Sequence, residues 1–178
     1  MTNTSADSTW IQTSYRHGVA WLQFDGSRAF DGTFWTELHN ALRGVETSGT
    51  CAVALTSDAP AFSVGNSAAW LSYSVGAAAR RGDSKTALYA VGDILRRTAS
   101  EINQLPIPLI AVVSGETVGA GLELACLCDL RVCVDSVQIS LPEAHLGVLP
   151  DIAPLEVLDE VLGARLSRRL LLTGQQEF

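Results

Sequence analysis

Ser114-Gly115-Glu116-Thr117-Val118-Gly119-Ala120-Gly121-Leu122-Glu123-Leu124-Ala125 is the stretch that decides how this chain is read. The apolar run Leu109 to Val113 just before it predicts a buried strand, and Val118 to Leu127 predicts a helix of small residues. Between them the glycines let the backbone come close to a ligand. The helix start adds N–H groups that have no acceptor inside the helix. Glu123 stands three residues after Ala120, so one turn brings its carboxylate to the face of the Ala120 N–H. The same residues also fit a plainer purpose, in which the glycines allow close helix–strand packing and Glu123 offsets the helix dipole.

Working outward, strand and helix signals alternate. His17 to Phe24 and Cys51 to Thr56 read as strands, and Leu130 to Val134 as another. Helical spacing of apolar residues predicts helices over Asp31 to Val45, Ala87 to Leu105, Leu155 to Leu162 and Arg165 to Leu172. Pro106 and Pro108 end the longest of these. The Ser/Thr-rich residues 1–14 read as a mobile tail before a core domain over 15–178. Tyr73 to Ser84, rich in Gly, Ala and Arg, reads as a mobile surface segment. The alternation predicts an α/β fold. Strand-to-helix joints made of small residues are where such a fold presents backbone donors to a ligand.

Composition narrows the classes. The chain has 178 residues, a one-domain length, of which 47% are hydrophobic and 17% charged, too apolar for a disordered chain. Twelve basic against nineteen acidic residues give a net charge of −7, which argues against nucleic-acid or anionic-membrane binding. Pro108 to Val113 is far shorter than the ~20 residues of a membrane helix. Met1 to Thr9 lacks the pattern of a secretory signal, so a cytoplasmic location is expected. Cys51, Cys126, Cys128 and Cys133 form no C-x-x-C pair and read as buried free thiols, and no metal site is expected.

Two further segments bear chemistry. Leu141-Pro142-Glu143-Ala144-His145-Leu146-Gly147 places a second carboxylate, Glu143, at the start of a helical turn. Paired carboxylates in different surroundings suit acid–base work. In Ala61-Phe62-Ser63-Val64-Gly65-Asn66-Ser67, Gly65 permits a sharp turn that aims the Asn66 N–H outward. Two backbone donors meeting at one oxygen would form an oxyanion hole. His145 reads as structural, as do His17 and His39. Gly119-x-Gly121-x-x-Leu124 departs from a dinucleotide fingerprint at its third position, and no G-x-S-x-G is present.

These segments, with His17–Leu22, Pro106–Gly115, Val118–Ala125 and Cys128–Arg131, occur in the order typical of the enoyl-CoA hydratase/isomerase (crotonase) superfamily, which the chain resembles over most of Arg16 to Gly174. The resemblance implies a crotonase-like spiral of ββα repeats acting on coenzyme A thioesters with no added cofactor. It makes Asn66 and Ala120 the two oxyanion donors. It has Glu123 orient and help activate a water, and Glu143 exchange the proton at the α-carbon. Phe62, Val64, Gly65, Ser67, Trp70, Gly119, Gly147 and Asp151 are expected to border the substrate. Addition or removal of water across the C2–C3 bond is the reaction this pair of glutamates favours.

The sequence also departs from that pattern. Ser67 stands where Asp is common, and Ala68, Ala69 and Trp70 stand where a basic residue often meets the CoA phosphates. Ala120 replaces a glycine, and Asp151-Ile152-Ala153-Pro154 replaces a glycine-rich helix start. These changes leave room for a dehydratase or decarboxylase acting on acyl groups tethered to a carrier protein, as in polyketide-type biosynthesis. The C-terminal helices that build a trimer or hexamer in relatives are expected to be missing or truncated after Gln175. A non-catalytic, crotonase-like partner subunit is therefore a third reading.

Overall fold

The computed structural model describes residues 9–80 and 84–177. Strands β1 (Gln12–Arg16) and β2 (Val19–Phe24) form an antiparallel hairpin. Its two-residue turn has φ of +52° at His17 and +76° at Gly18, the pair of positive angles that matches strand twist in such hairpins. The chain then runs through α1 (Gly32–Arg43), β3 (Ala52–Ser57), α2 (Ala68–Arg80), α3 (Ser84–Gln104) and β4 (Leu109–Val113). β5 (Glu116–Val118), α4 (Ala120–Leu127), β6 (Leu130–Cys133), β7 (Gln138–Ser140), α5 (Glu143–Leu146), α6 (Leu155–Leu162) and α7 (Ala164–Thr173) complete it.

The main sheet has the order β1-β2-β3-β4-β6, parallel from β2 onward. A second, narrower ladder runs beside it. Phe30 bridges Asn66, Ser63 bridges Thr117, β5 pairs with β7, and Ile139 bridges Glu177. Each passage of the chain thus contributes one long strand, one short extended piece and a helix, which is the expected ββα spiral. The three-residue strands β5 and β7 are too short to carry a period-2 signal, and the sequence reading gave neither a range.

Parallel strands need both faces covered, and β2, β3 and β4 are accordingly apolar. Their inward side chains meet α1 and α3 in a core of Leu22, Phe24, Phe34, Leu38, Leu55, Leu95 and Leu109. Asp31 caps α1 by accepting from the Thr33 and Phe34 N–H groups. Phe30 and Phe34 stack with ring centroids 3.6 Å apart, and Phe24, Trp10 and Trp35 meet them edge-on. A second apolar cluster, with Leu122, Cys126, Leu141, Leu158 and Leu170, joins α4 to α6 and α7.

Three expectations change here. Residues 12–14, assigned to a mobile tail, belong to β1. Trp10 and Ile11 are buried, and their N–H groups donate to Glu37 Oε2 at 2.7 and 3.2 Å. Residues 1–8 of that tail lie outside the described residues. Tyr73 to Arg80, also assigned to a mobile segment, continues α2; alanine and arginine are strong helix formers, and here they decide. Residues 81–83 of that segment lie outside the described residues. Cys126 and Cys128 are buried thiols, but Cys51 and Cys133 are exposed. Among the described residues no helix is long and apolar enough to cross a membrane, and no cluster of His, Cys, Asp and Glu could hold a metal ion.

Candidate active site

The site is built where the loops leaving β3 and β4 meet, at the carboxyl ends of parallel strands, the usual ligand position in open α/β sheets. Ser63 N donates to Glu116 O at 3.0 Å, and Val118 N donates to Ser63 O at 2.9 Å, so the two loops are laced together. At Gly115 a β-carbon would overlap the Pro60 carbonyl, so the joint requires glycine. At Gly121 a β-carbon would overlap the Ser63 side chain. The close-packing purpose of the glycine run therefore holds at these two positions.

Asn66 is placed by the same ladder. Phe30 N donates to Gly65 O at 2.8 Å and Ser67 N donates to Phe30 O at 2.7 Å. Neighbours on both sides of Asn66 thus point at Phe30, and strand alternation turns the Asn66 N–H the other way. Its side chain is fixed from the core, where Trp35 Nε1 donates to Asn66 Oδ1 at 2.9 Å. Gly65 brings the turn against Val118, with a would-be β-carbon 3.2 Å from Val118 O. Ala120 follows two residues later as the first residue of α4, where its N–H has no intrahelical acceptor.

A cavity of about 450 Å³ opens here, within the range of small-molecule sites. Val64, Gly65, Asn66, Gly119, Glu143 and Asp151 line it, six of the positions the sequence singles out. Gly119 has φ +53° and ψ −123°, and a β-carbon there would overlap Glu143 Oε1. The Glu143 carboxylate therefore lies directly against the start of α4. Its Oε2 is buried and has no hydrogen-bond partner among the described residues. Burial raises the Glu143 pKa; its own backbone N–H lowers it, and the charge of Asp151 raises it further. Asp151 keeps one side to solvent, yet the cavity wall strips enough water to raise its pKa too, against its own backbone N–H and the Arg96 charge.

Glu123 stands behind this wall. It is 1% exposed, and its Oε2 accepts from Ile152 N at 2.8 Å and Ala153 N at 2.9 Å. Burial pushes its pKa up to about 8, with the two N–H groups opposing and Asp151 and Glu143 adding to the rise. Glu123 and Ala120 are not cavity-lining side chains, although both adjoin Gly119.

Four expected substrate contacts lie elsewhere. Phe62 is wholly buried against Phe24, because an aromatic ring gains more from the core than from a wetted cavity. Ser67 Oγ accepts from Trp70 N at 3.2 Å and caps the start of α2. The Trp70 indole packs on Gly32, 3.2 Å from a would-be β-carbon there. Gly147 ends α5 in the left-handed region and has open space around it. His145 turns away from Glu143, its Nε2 2.8 Å from Thr173 O. The sequence reading missed Leu71, Gly92, Arg96, Val118, Pro142, Leu146, Val148 and Leu149 as lining residues. Leu71, Gly92 and Arg96 come from α2 and α3, whose approach to the site no local pattern encodes. The run Leu146 to Leu149, apolar apart from Gly147, was a usable signal for the rim.

A family profile described as Enoyl-CoA hydratase/isomerase matches residues 15–177. A curated relative from Arabidopsis thaliana, "Probable enoyl-CoA hydratase 2, mitochondrial", is 35% identical over 97 residues, 54% of this chain and 32% of its own length. The chain thus matches about a third of that relative. A crystal structure of enoyl-CoA hydratase from Thermoplasma volcanium GSS1 superposes with TM-score 0.82 at 21% identity, over 96% of this chain and 66% of the other. A protein from Thermobifida fusca YX, crystallised in complex with acetoacetyl-CoA, superposes with TM-score 0.80 at 25% identity, over 94% of this chain and 68% of the other. With the ββα spiral and a profile match across nearly its whole length, the chain belongs to the enoyl-CoA hydratase/isomerase (crotonase) family.

Proposed function

We propose that this protein adds or removes water across the C2–C3 bond of an acyl-CoA thioester. The observation that carries this reading is the Glu143 carboxylate, half-buried with one unpartnered oxygen, set against Gly119 in the cavity that Asn66 lines. A half-buried carboxyl group with a raised pKa is suited to give and take a proton.

In this mechanism the thioester oxygen accepts from the N–H groups of Asn66 and Ala120. As negative charge grows on that oxygen, each donor contributes about 10²–10³ in rate. In dehydration Glu143 takes the C2 proton, the electron pair forms the C2–C3 double bond, and the C3 hydroxyl leaves as water with a proton from the Glu123 carboxyl. In hydration the water oxygen bonds to C3 as its proton passes to Glu123, and C2 takes its proton from Glu143. Glu123, anchored through Oε2 to two amides, keeps Oε1 to orient that water. The remaining expected substrate positions, Val64, Gly65, Gly119 and Asp151, would contact the acyl thioester. Assembly as a trimer or hexamer and a cytoplasmic location belong to the same proposal.

The test is to incubate the protein with 2-enoyl-CoA and 3-hydroxyacyl-CoA thioesters and follow the mass of one water gained or lost. Binding without such a change would sink the reaction but keep the site. A second reading, an acyl group on a carrier protein, is favoured by the exposed Ala68 and Ala69 at the start of α2, where no cation is offered to CoA phosphates. Faster turnover with the carrier-bound acyl group than with the same acyl-CoA would select it.

A further inference from the structure

The cavity contains a cation that the proposed water chemistry does not use. Arg96 stands on α3 one helical turn after Gly92, and both line the cavity with Leu71, Leu149 and Asp151. A glycine inside a helix costs stability relative to alanine, so its presence calls for a reason. At Gly92 a β-carbon would stand 2.9 Å from Arg96 Nη1 and 3.6 Å from Cζ. The missing side chain gives the guanidinium room to fold back along the helix at the cavity wall.

Arg96 is not spent on a contact pair: among the described residues the ion pairs are Arg97–Asp93 and Arg169–Glu177. Its charge reaches Asp151, which in turn acts on Glu143. The cation therefore shares the carboxylates' end of the site. Around it the wall is apolar, from Leu71 and Leu149. A saturated hydrocarbon tail gains nothing from a guanidinium and strips water from it. A carboxylate matches its planar fork with two parallel hydrogen bonds.

We propose that the acyl group taken by this site ends in a carboxylate, as in a dicarboxylic acyl thioester, and that Arg96 binds that end. This rests on the acyl-thioester reading above. A phosphate of coenzyme A offers similar chemistry. Arg96 is exposed at the cavity wall and within reach of either group, so ligands with and without the phosphates separate the two.

Titration calorimetry with unreactive saturated ligands tests this. Glutaryl-CoA and pentanoyl-CoA have equal chain length and differ in the terminal carboxylate. N-acetylcysteamine thioesters of the same two acids lack the phosphates. The glutaryl ligand should bind about tenfold more tightly than the pentanoyl ligand on either carrier, the size expected of a charge-assisted contact. In Arg96→Gln the ratio should fall to about one or below, and Arg96→Lys should lie between. Equal binding of the two acids by the unaltered protein overturns the proposal, as does a preference that survives in Arg96→Gln. So does an Arg96 effect that appears only with the phosphate-bearing carrier. Failure of every thioester to bind is a separate result, and it removes the acyl-thioester reading itself.

Discussion

At the scale of single residues, the two glutamates differ in what surrounds them, and that difference separates the tasks proposed for them. Glu143 lies at the cavity with an unpartnered buried oxygen, while Glu123 is held by the Ile152 and Ala153 amides. Glu143→Gln keeps the shape and removes the exchangeable proton. Its turnover should drop about 10²–10⁴-fold, the size of general acid–base catalysis, with thioester affinity within a few-fold of the original by calorimetry. Near-normal turnover would remove Glu143 from the reaction. Glu123 makes a second, thermodynamic statement. Its pKa rises from the ordinary 4.5 to about 8 on folding, so the folded protein keeps a proton that the unfolded chain gives up. Its contribution to stability is fully present below about pH 4.5, declines as pH rises through the window, and is gone above about pH 8. Glu123→Gln has no such proton to lose, and its melting temperature should fall less between about pH 5 and about pH 8.5 than that of the unaltered protein. Equal pH slopes in the two proteins would show that Glu123 is ionised in the fold.

At the scale of elements, α4 aims the site, and its far end is secured by one side chain. Arg131 Nη1 donates to the carbonyls of Ala125 (3.2 Å), Cys126 (3.2 Å) and Cys128 (2.6 Å), the last groups of the helix, where a cation also meets the dipole. Asp129 Oδ2 accepts from Leu109 N at 2.7 Å and ties the same turn to β4. The Cys128–Arg131 motif is thus a clamp on the strand–helix joint rather than part of the chemistry. Arg131→Ala should cost about 1.5–3 kcal/mol by urea denaturation, and Arg131→Lys should recover only part of it. Elements with strong local signals were legible in the sequence: Leu155–Leu162 was read with its bounds, and Asp31 was placed at the start of α1. β5 and β7 were not read as ranges, because three residues paired across long sequence distances carry no local period. The site divides likewise. Gly65, Asn66, Gly119 and Glu143 sit on the strand-end loops and were legible, whereas Leu71 and Arg96 reach the cavity only through the packing of α2 on α3. Phe62 and Trp70 were placed in the site by proximity in sequence, and burial claimed them instead.

At the scale of the whole molecule, two apolar clusters back two parts of the candidate site. The larger one, between the sheet and α1 and α3, fixes Asn66 through Trp35. The smaller one, among α4, α6 and α7, includes Ala153, while its neighbour Ile152 packs in the larger one; the amides of both hold Glu123. Leu158 and Leu170 are fully buried in that smaller cluster, which has no buried member from β2, β3 or β4. A buried Leu→Ala change costs about 2–5 kcal/mol, and in a cluster of this size the loss should be felt locally first. Leu158→Ala is therefore expected to speed amide hydrogen exchange across α6, α7 and Ala153 well before it affects β3 and β4. Its turnover should fall along with that local protection, because one of the amides anchoring Glu123 loses its fixed position. Uniform loss of protection over both clusters would mean that the molecule opens as one unit. In that case the placement of Glu123 would be as stable as the sheet itself.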